Sequence, residues 1–190
     1  SSEDKVVRLW NLSPAAAAAP THAANTSTTD LLLDFNKLGG EVWSAMFAPD
    51  GRHILTIGGN EAEMWDLASR RPVIRYSPHG AVASATVSPD GKLAATGSWD
   101  HSAKIWDIAT GHAVRKLDGG HAGYINSVAF SPDGAELLTA SDDGTARLWN
   151  VATGKPTGII FHGHGARLLQ ASFSPDGKQV LIVNDDKTDR

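Results

Sequence analysis

The sequence predicts an all-β chain assembled from one repeated unit, and three observations predict it. Short runs alternate apolar and polar residues with a period of two, as half-buried strands do. A Pro-Asp-Gly turn recurs four times, and so does a strand that ends on tryptophan. The unit is clearest from His121 to Trp149, HAGYINSVAFSPDGAELLTASDDGTARLW. It alternates, turns at Ser131-Pro132-Asp133-Gly134, alternates again, turns at Asp142-Asp143-Gly144 and closes on Leu148-Trp149-Asn150. That makes three short strands with a turn between each pair.

The copies keep a common phase. The turn tetrapeptide appears as Ala48-Pro49-Asp50-Gly51, Ser88-Pro89-Asp90-Gly91, Ser131 to Gly134 and Ser174-Pro175-Asp176-Gly177, at spacings of 40, 43 and 43 residues. Its composition has a mechanism: Pro presets φ, Asp bonds nearby backbone and Gly accepts a positive φ. The tryptophan strand appears as Arg8-Leu9-Trp10-Asn11, Met64-Trp65-Asp66, Ile105-Trp106-Asp107 and Leu148-Trp149-Asn150. A second turn, Ala109-Thr110-Gly111 and Ala152-Thr153-Gly154, follows the last two.

These motifs resemble the WD40 repeat family, and the match covers nearly the whole chain. The resemblance implies a β-propeller of four-stranded antiparallel blades around a central channel. With strands lettered a to d from the channel outward, the chain divides in order. Lys5 to Leu12 is a strand c, residues 13–30 an insertion, and Leu31 to Asn36 a strand d. Val42 to Tyr76, Val82 to Leu117 and Ile125 to Phe161 are three full blades, and Leu168 to Val183 supplies strands a and b of another. The expected fold is therefore three full blades plus two complementary half blades.

Such an arc leaves apolar blade faces and a sheet edge unpartnered at its ends. Three arrangements remove the problem: further blades of a longer chain, two copies that complete each other's split blade, or closure of this chain on itself as four blades. The sequence starts in mid-pattern without an initiator Met, so a segment of a longer polypeptide is expected. The insertion, SPAAAAAPTHAANTSTTD, has no apolar periodicity; Pro20 ends any turn of helix begun at Ser13-Pro14, so a loop is expected there.

Composition narrows the function. The chain has 190 residues and a formal net charge of -4 with no basic block, which argues against nucleic acid or an anionic membrane as partner. No apolar run is long enough to span a bilayer, and no signal-peptide pattern opens the sequence. Cysteine is absent, which removes disulfides and Cys-based zinc sites, and a cytoplasmic location is expected.

His121, Thr139, Asp143 and Trp149 put imidazole, hydroxyl and carboxylate in one repeat and invite a catalytic-triad reading. They stand 28, 10 and 6 residues before Trp149, and His79, Thr96, Asp100 and Trp106 nearly repeat the pattern. A nucleophile is unique, whereas this set recurs. The resemblance assigns it instead to the family's structural tetrad, a buried hydrogen-bonded chain bracing each blade. The first full blade has Gly40 near the His position and no Asp, so it is expected to be the softest. The last half blade keeps His164 and Asp186 but has Ile182 in place of the hydroxyl; the first keeps Asp4 and Trp10.

Other candidate chemistry is weak. His162-Gly163-His164 lacks a third metal ligand at fixed spacing. Asp142-Asp143 and Asp185-Asp186 lack the alternating carboxylates of a calcium loop. No glycine cluster follows a strand and opens a helix, as a phosphate loop does. No catalytic residue, cofactor or metal is expected.

The resemblance places partner contacts at the residue before the tetrad Asp and at the start of strand a. The first class is Glu3, Trp99, Asp142 and Asp185. The second is Glu41 and Trp43, Ala81 and Ala83, Tyr124 and Asn126, Arg167 and Leu169. Trp99, Trp43, Tyr124 and Arg167, with Asn126 and Asp142, form the expected partner-binding rim, since Trp, Tyr and Arg dominate binding hot spots; the competing reading packs Trp43 and Trp99 into a blade junction as local core. The expected function is a non-catalytic scaffold that presents a rim to a protein or peptide. The alternative is a regulatory or sensor propeller fused to a catalytic domain, such as a kinase or protease, outside this segment. A propeller hydrolase is disfavoured, because strand a starts with Ala, Ser, Asn and Leu rather than charged residues.

Overall fold

A computed structural model describes residues 6–9, 31–34, 42–58, 61–76, 80–163 and 166–185. His79, His164, Asp186, Gly40, Asp4, Trp10, Glu3, Glu41 and the 13–30 insertion lie outside the described residues. The described residues contain strands and turns and no helix. Two short strands, β1 (Val6–Leu9) and β2 (Leu31–Asp34), pair antiparallel. Three four-stranded antiparallel sheets follow. The first blade is β3 (Val42–Phe47), β4 (His53–Gly58), β5 (Glu61–Asp66) and β6 (Arg71–Tyr76). The second is β7 (Val82–Val87), β8 (Leu93–Ser98), β9 (Ala103–Asp107) and β10 (Ala113–Leu117). The third is β11 (Ile125–Phe130), β12 (Glu136–Ser141), β13 (Thr145–Asn150) and β14 (Pro156–His162). A last pair, β15 (Leu168–Phe173) and β16 (Val180–Asn184), closes the series.

Each blade is a meander in which sequential strands are neighbours. Among the described residues the sheets are stacked as a partial propeller and do not close into a ring. β7 touches β11 and β11 touches β15 across blades, which makes them the inner strands. Serine hydroxyls stitch this inner wall. Ser84 Oγ accepts the Val128 N–H at 3.2 Å, and Ser127 Oγ both accepts the Ala171 N–H at 3.3 Å and donates to its carbonyl at 3.4 Å. On the outer side Arg115 reaches from the second blade and donates twice to the Ala152 carbonyl of the third, at 3.0 and 2.6 Å.

The core lies between sheets. Leu55, Ile57, Met64 and Tyr76 of the first blade pack on Val82, Ala85, Ala94 and Trp106 of the second. Ile105 and Leu117 of the second meet Ile125, Val128, Leu137 and Trp149 of the third. Leu138, Ala140 and Leu148 then pack on Leu168 and Ala171. At the first two junctions the tryptophan-bearing face of one blade covers the opposite face of the blade before it, and at the third Leu168 and Ala171 take that place. Gly97 marks how close the contact is: a Cβ there would stand 2.7 Å from the Ile125 side chain and 2.9 Å from that of Val128. At the far end the other face of β15–β16 is bare, with Leu169 and Val183 exposed and Leu181 66% exposed.

The turns repeat because their chemistry repeats. Ser88 Oγ donates to Asp90 Oδ1 at 2.7 Å and accepts the Leu93 N–H at 2.9 Å, while Gly91 takes φ +72°. Ser131–Asp133 and Ser174–Asp176 do the same. The first blade has Ala48 instead of serine, and there Asp50 accepts the backbone of Arg52 and His53 and pairs with the His53 ring at 2.6 Å.

Candidate partner-binding rim

Two different constructions sit at one end of each blade, one buried and one exposed. The buried one is complete in the third blade. The strand register sets Thr139 opposite Arg147 and Leu137 opposite Trp149, so Thr139 and Trp149 share a face. Trp149 Nε1–H donates to Thr139 Oγ1 at 2.9 Å. His121 Nε2 lies 2.7 Å from the same hydroxyl, and His121 Nδ1 lies 2.9 Å from Asp143 Oδ2. Asp143 also accepts the Ala122 N–H, the Thr145 N–H and the Thr145 hydroxyl.

The protonation states follow from this geometry. Burial pushes the Asp143 carboxyl up, yet the bonds from Thr145, His121 and the Ala122 amide together outweigh it and hold the group at about 2. Burial lowers His121 below its ordinary value, against the opposing pull of Asp143. A neutral ring beside a carboxylate carries its proton on Nδ1, so Nε2 accepts the Thr139 O–H. Thr139 is then engaged as both donor and acceptor and is fully buried. Its spacing to the imidazole resembles that of a nucleophile to its base, but no substrate can reach it and its lone pairs already face Trp149. The geometry is that of a brace from the sheet to the loops at its edge.

The second blade keeps the strand part of this chain, with Trp106 Nε1–H donating to Thr96 at 2.9 Å. Asp100 accepts the Ser102 backbone and hydroxyl, at 3.0 and 2.8 Å. The first blade also keeps its strand part, Trp65 to Thr56 at 3.1 Å. Its β4–β5 ladder runs up to Gly58 opposite Glu61, and the two residues between them in sequence, Gly59 and Asn60, include no aspartate. A charged side chain, outside the repeat's shared pattern, occupies this face. Glu63, opposite Thr56 and two residues before Trp65, is fully buried. One carboxylate oxygen accepts from the Arg75 guanidinium at 2.6 Å, and the other has no partner. Burial raises its pKa, opposed by Arg75. Lys104 and Arg147 hold the matching positions in the other blades.

The exposed construction is made by the backbone. Every inner strand begins with a register irregularity, between Val42 and Ser44, Val82 and Ser84, Ile125 and Ser127, and Leu168 and Gln170. The skipped residues are Trp43, Ala83, Asn126 and Leu169; a bulge of this kind re-aims a side chain away from the ladder. In the second and third blades and in the last strand pair, one backbone bond then joins the two classes of rim position. The Trp99 N–H donates to the Ala81 carbonyl, Asp142 to Tyr124 and Asp185 to Arg167, at 3.0, 2.9 and 2.9 Å. Asp142 and Asp143, adjacent in sequence, therefore part company: one faces the rim and the other the buried chain.

The side chains brought together form a row. Trp43 stacks on Trp99 with ring centroids 6.4 Å apart, and Trp99 stacks on Tyr124 at 5.5 Å. His101 tilts against Tyr124 at 5.6 Å. These three stacked rings are 42%, 45% and 46% exposed, so they are not blade-junction core. Beyond Tyr124 the row turns polar. Asn126 Nδ2 donates to Asp142 Oδ1 at 2.6 Å and to the Leu168 carbonyl at 3.0 Å. Arg167 donates to Asp185 at 2.9 Å and lies 3.9 Å from Asp142.

Comparison with known proteins fits this architecture. The family described as WD domain, G-beta repeat matches residues 70–107 and 111–150. Each match takes in the outer strand of one blade and the three inner strands of the next, so one sequence repeat bridges two sheets. The chain is 33% identical over 85 residues to a serine-threonine kinase receptor-associated protein of Dictyostelium discoideum, covering 45% of this chain and 29% of that protein. It is 28% identical over 127 residues to transcription initiation factor TFIID subunit 5 of Caenorhabditis elegans, covering 66% of this chain and 17% of that protein. The chain thus spans under a third of either relative's length. With matched repeats in step with its sheets and a tryptophan–threonine brace in every full blade, the chain carries repeats of the WD40 family over residues 70–150.

Proposed function

We propose that this chain is a non-catalytic interaction scaffold that offers the Trp43–Trp99–Tyr124 row and the neighbouring Asn126, Asp142 and Arg167 to a protein or peptide partner. The observation that carries the reading is the exposure of three stacked aromatic rings at positions where blade folding requires none. Rigid inner strands hold these side chains at fixed pitch, so little ordering entropy is lost on association. The buried state of Thr139 supports the absence of acyl-transfer chemistry in the third blade. The relatives' names support the coarse reading, since one is named for association with a receptor and the other as a subunit of a larger factor.

The test is partner capture by the immobilised chain against its Trp99→Ala and Tyr124→Ala variants. Capture that falls about tenfold or more in both variants, with melting temperature shifted by only a few degrees, supports the reading. Undiminished capture by both would reject it. A large loss of melting temperature in Trp99→Ala would return that residue to the core.

A further inference from the structure

The polar end of the rim is rich in acceptors and short of donors. Two carboxylates, Asp142 and Asp185, share one guanidinium, that of Arg167. Arg167 donates to Asp185 but stands 3.9 Å from Asp142, beyond hydrogen-bond reach. Asn126 spends its amide N–H groups on Asp142 and on the Leu168 carbonyl, so it has no further N–H to neutralise Asp142 or Asp185. Asp142 is also joined through the backbone to Tyr124, the last ring of the aromatic column. A π-face and an under-neutralised carboxylate therefore belong to two positions that one backbone bond holds together on the rim.

That combination selects a planar cation. A guanidinium can lie against an aromatic ring while its in-plane N–H groups donate to a carboxylate, whereas an ammonium is a point charge that cannot meet both with comparable geometry. Resting on the rim reading above, we infer that the partner presents an arginine side chain that stacks on the Tyr124 end of the aromatic row and donates to Asp142. Arg167 then acts as an internal competitor. By drawing charge from Asp142 and Asp185 it weakens the site for an incoming guanidinium and sets a threshold for partners that bring only one positive charge.

The experiment is selection of a phage-displayed random dodecapeptide library on the 190-residue chain, followed by affinity measurement of the selected peptides as synthetic compounds. The expected peptides are enriched in arginine. Their affinity falls about tenfold with Asp142→Asn and by a similar factor when the peptide arginine becomes lysine. Arg167→Gln tightens binding about two- to threefold, an effect that loss of folding cannot produce. Peptides that need Trp99 and Tyr124 but lack arginine, and that ignore Asp142→Asn, would overturn the arginine assignment and leave the rim reading standing. Peptides indifferent to Trp99→Ala and Tyr124→Ala, or no selected peptides at all, would overturn both.

Discussion

The third blade and the first are built from the same strands yet held by different polar chemistry. In the third, Trp149, Thr139, His121 and Asp143 form one continuous chain from the sheet to the loops at its edge. In the first, the tryptophan–threonine bond is kept while the residues between β4 and β5 include no aspartate, and a buried glutamate occupies the face. The contrast separates two layers of the repeat. Bonds between adjacent strands follow from register, so any blade with the right residues makes them. Bonds that reach the loops depend on turn length and fail when one residue is lost.

The comparison breaks most sharply at Asp143. Asp143→Ala leaves His121 and the Ala122 and Thr145 donors without their acceptor and is expected to cost about 3 kcal/mol, lowering the melting temperature by about 6–12 °C. Asp100→Ala in the second blade is expected to cost less, and equal calorimetric shifts would show that the third blade's brace is not special. Next comes Thr139→Val. It strips partners from both Trp149 and His121 and should cost about 2 kcal/mol, against about 1 for Thr56→Val, read from denaturant midpoints.

Acid sharpens the same contrast, because the half-buried Asp143 and the buried Glu63 move in opposite directions. Asp143 is held near 2, below its ordinary value, so its contribution is complete above about pH 4 and is lost as pH falls towards 2. That contribution is on the order of 1–2 kcal/mol once partial solvent contact is discounted. His121 is also depressed, so its contribution is present above the ordinary histidine pKa and declines as pH falls below it. Glu63 is raised, so its destabilising effect grows as pH climbs above the ordinary glutamate range. Melting curves across pH should show wild type losing its advantage over Asp143→Asn in acid, and losing ground to Glu63→Gln towards neutral pH. Parallel curves would refute the assignment.

The smallest effect is expected in a turn. Arg70 takes φ +56°, where the other blades place Gly111 and Gly154. Each of the three residues donates its N–H to the carbonyl four residues back, so the turns are superposable in bonding. Arg70→Gly is expected to stabilise the first blade by about 0.5–1 kcal/mol, by relieving a left-handed backbone at the cost of extra freedom in the unfolded chain. A neutral or negative shift in chemical denaturation would mean that Arg70 makes a compensating contact.

Much of this was legible in the residues. Pro-Asp-Gly turns report themselves because each residue has a local job, and the tryptophan strands share one phase. The third blade's buried chain was visible as spacing. The bulges at Trp43 and Asn126 were not, since a register skip has no signature of its own when both flanking residues suit a strand. The stacking of Trp43, Trp99 and Tyr124 was equally hidden: they lie in three blades, and only the sheet-to-sheet pitch sets their separation. Glu63 did carry a signal. It sits two residues before Trp65, on the face that strand alternation turns inward, but charged residues at such positions are usually solvated.

The main-chain bonds at Trp99, Asp142 and Asp185 have a consequence for how such a surface changes over time. Because amide and carbonyl do the fastening, the side chains at these places are decoupled from foldability and can be exchanged almost freely. A lineage, or a protein engineer, can therefore swap one specificity for another at this edge without renegotiating the packed interior.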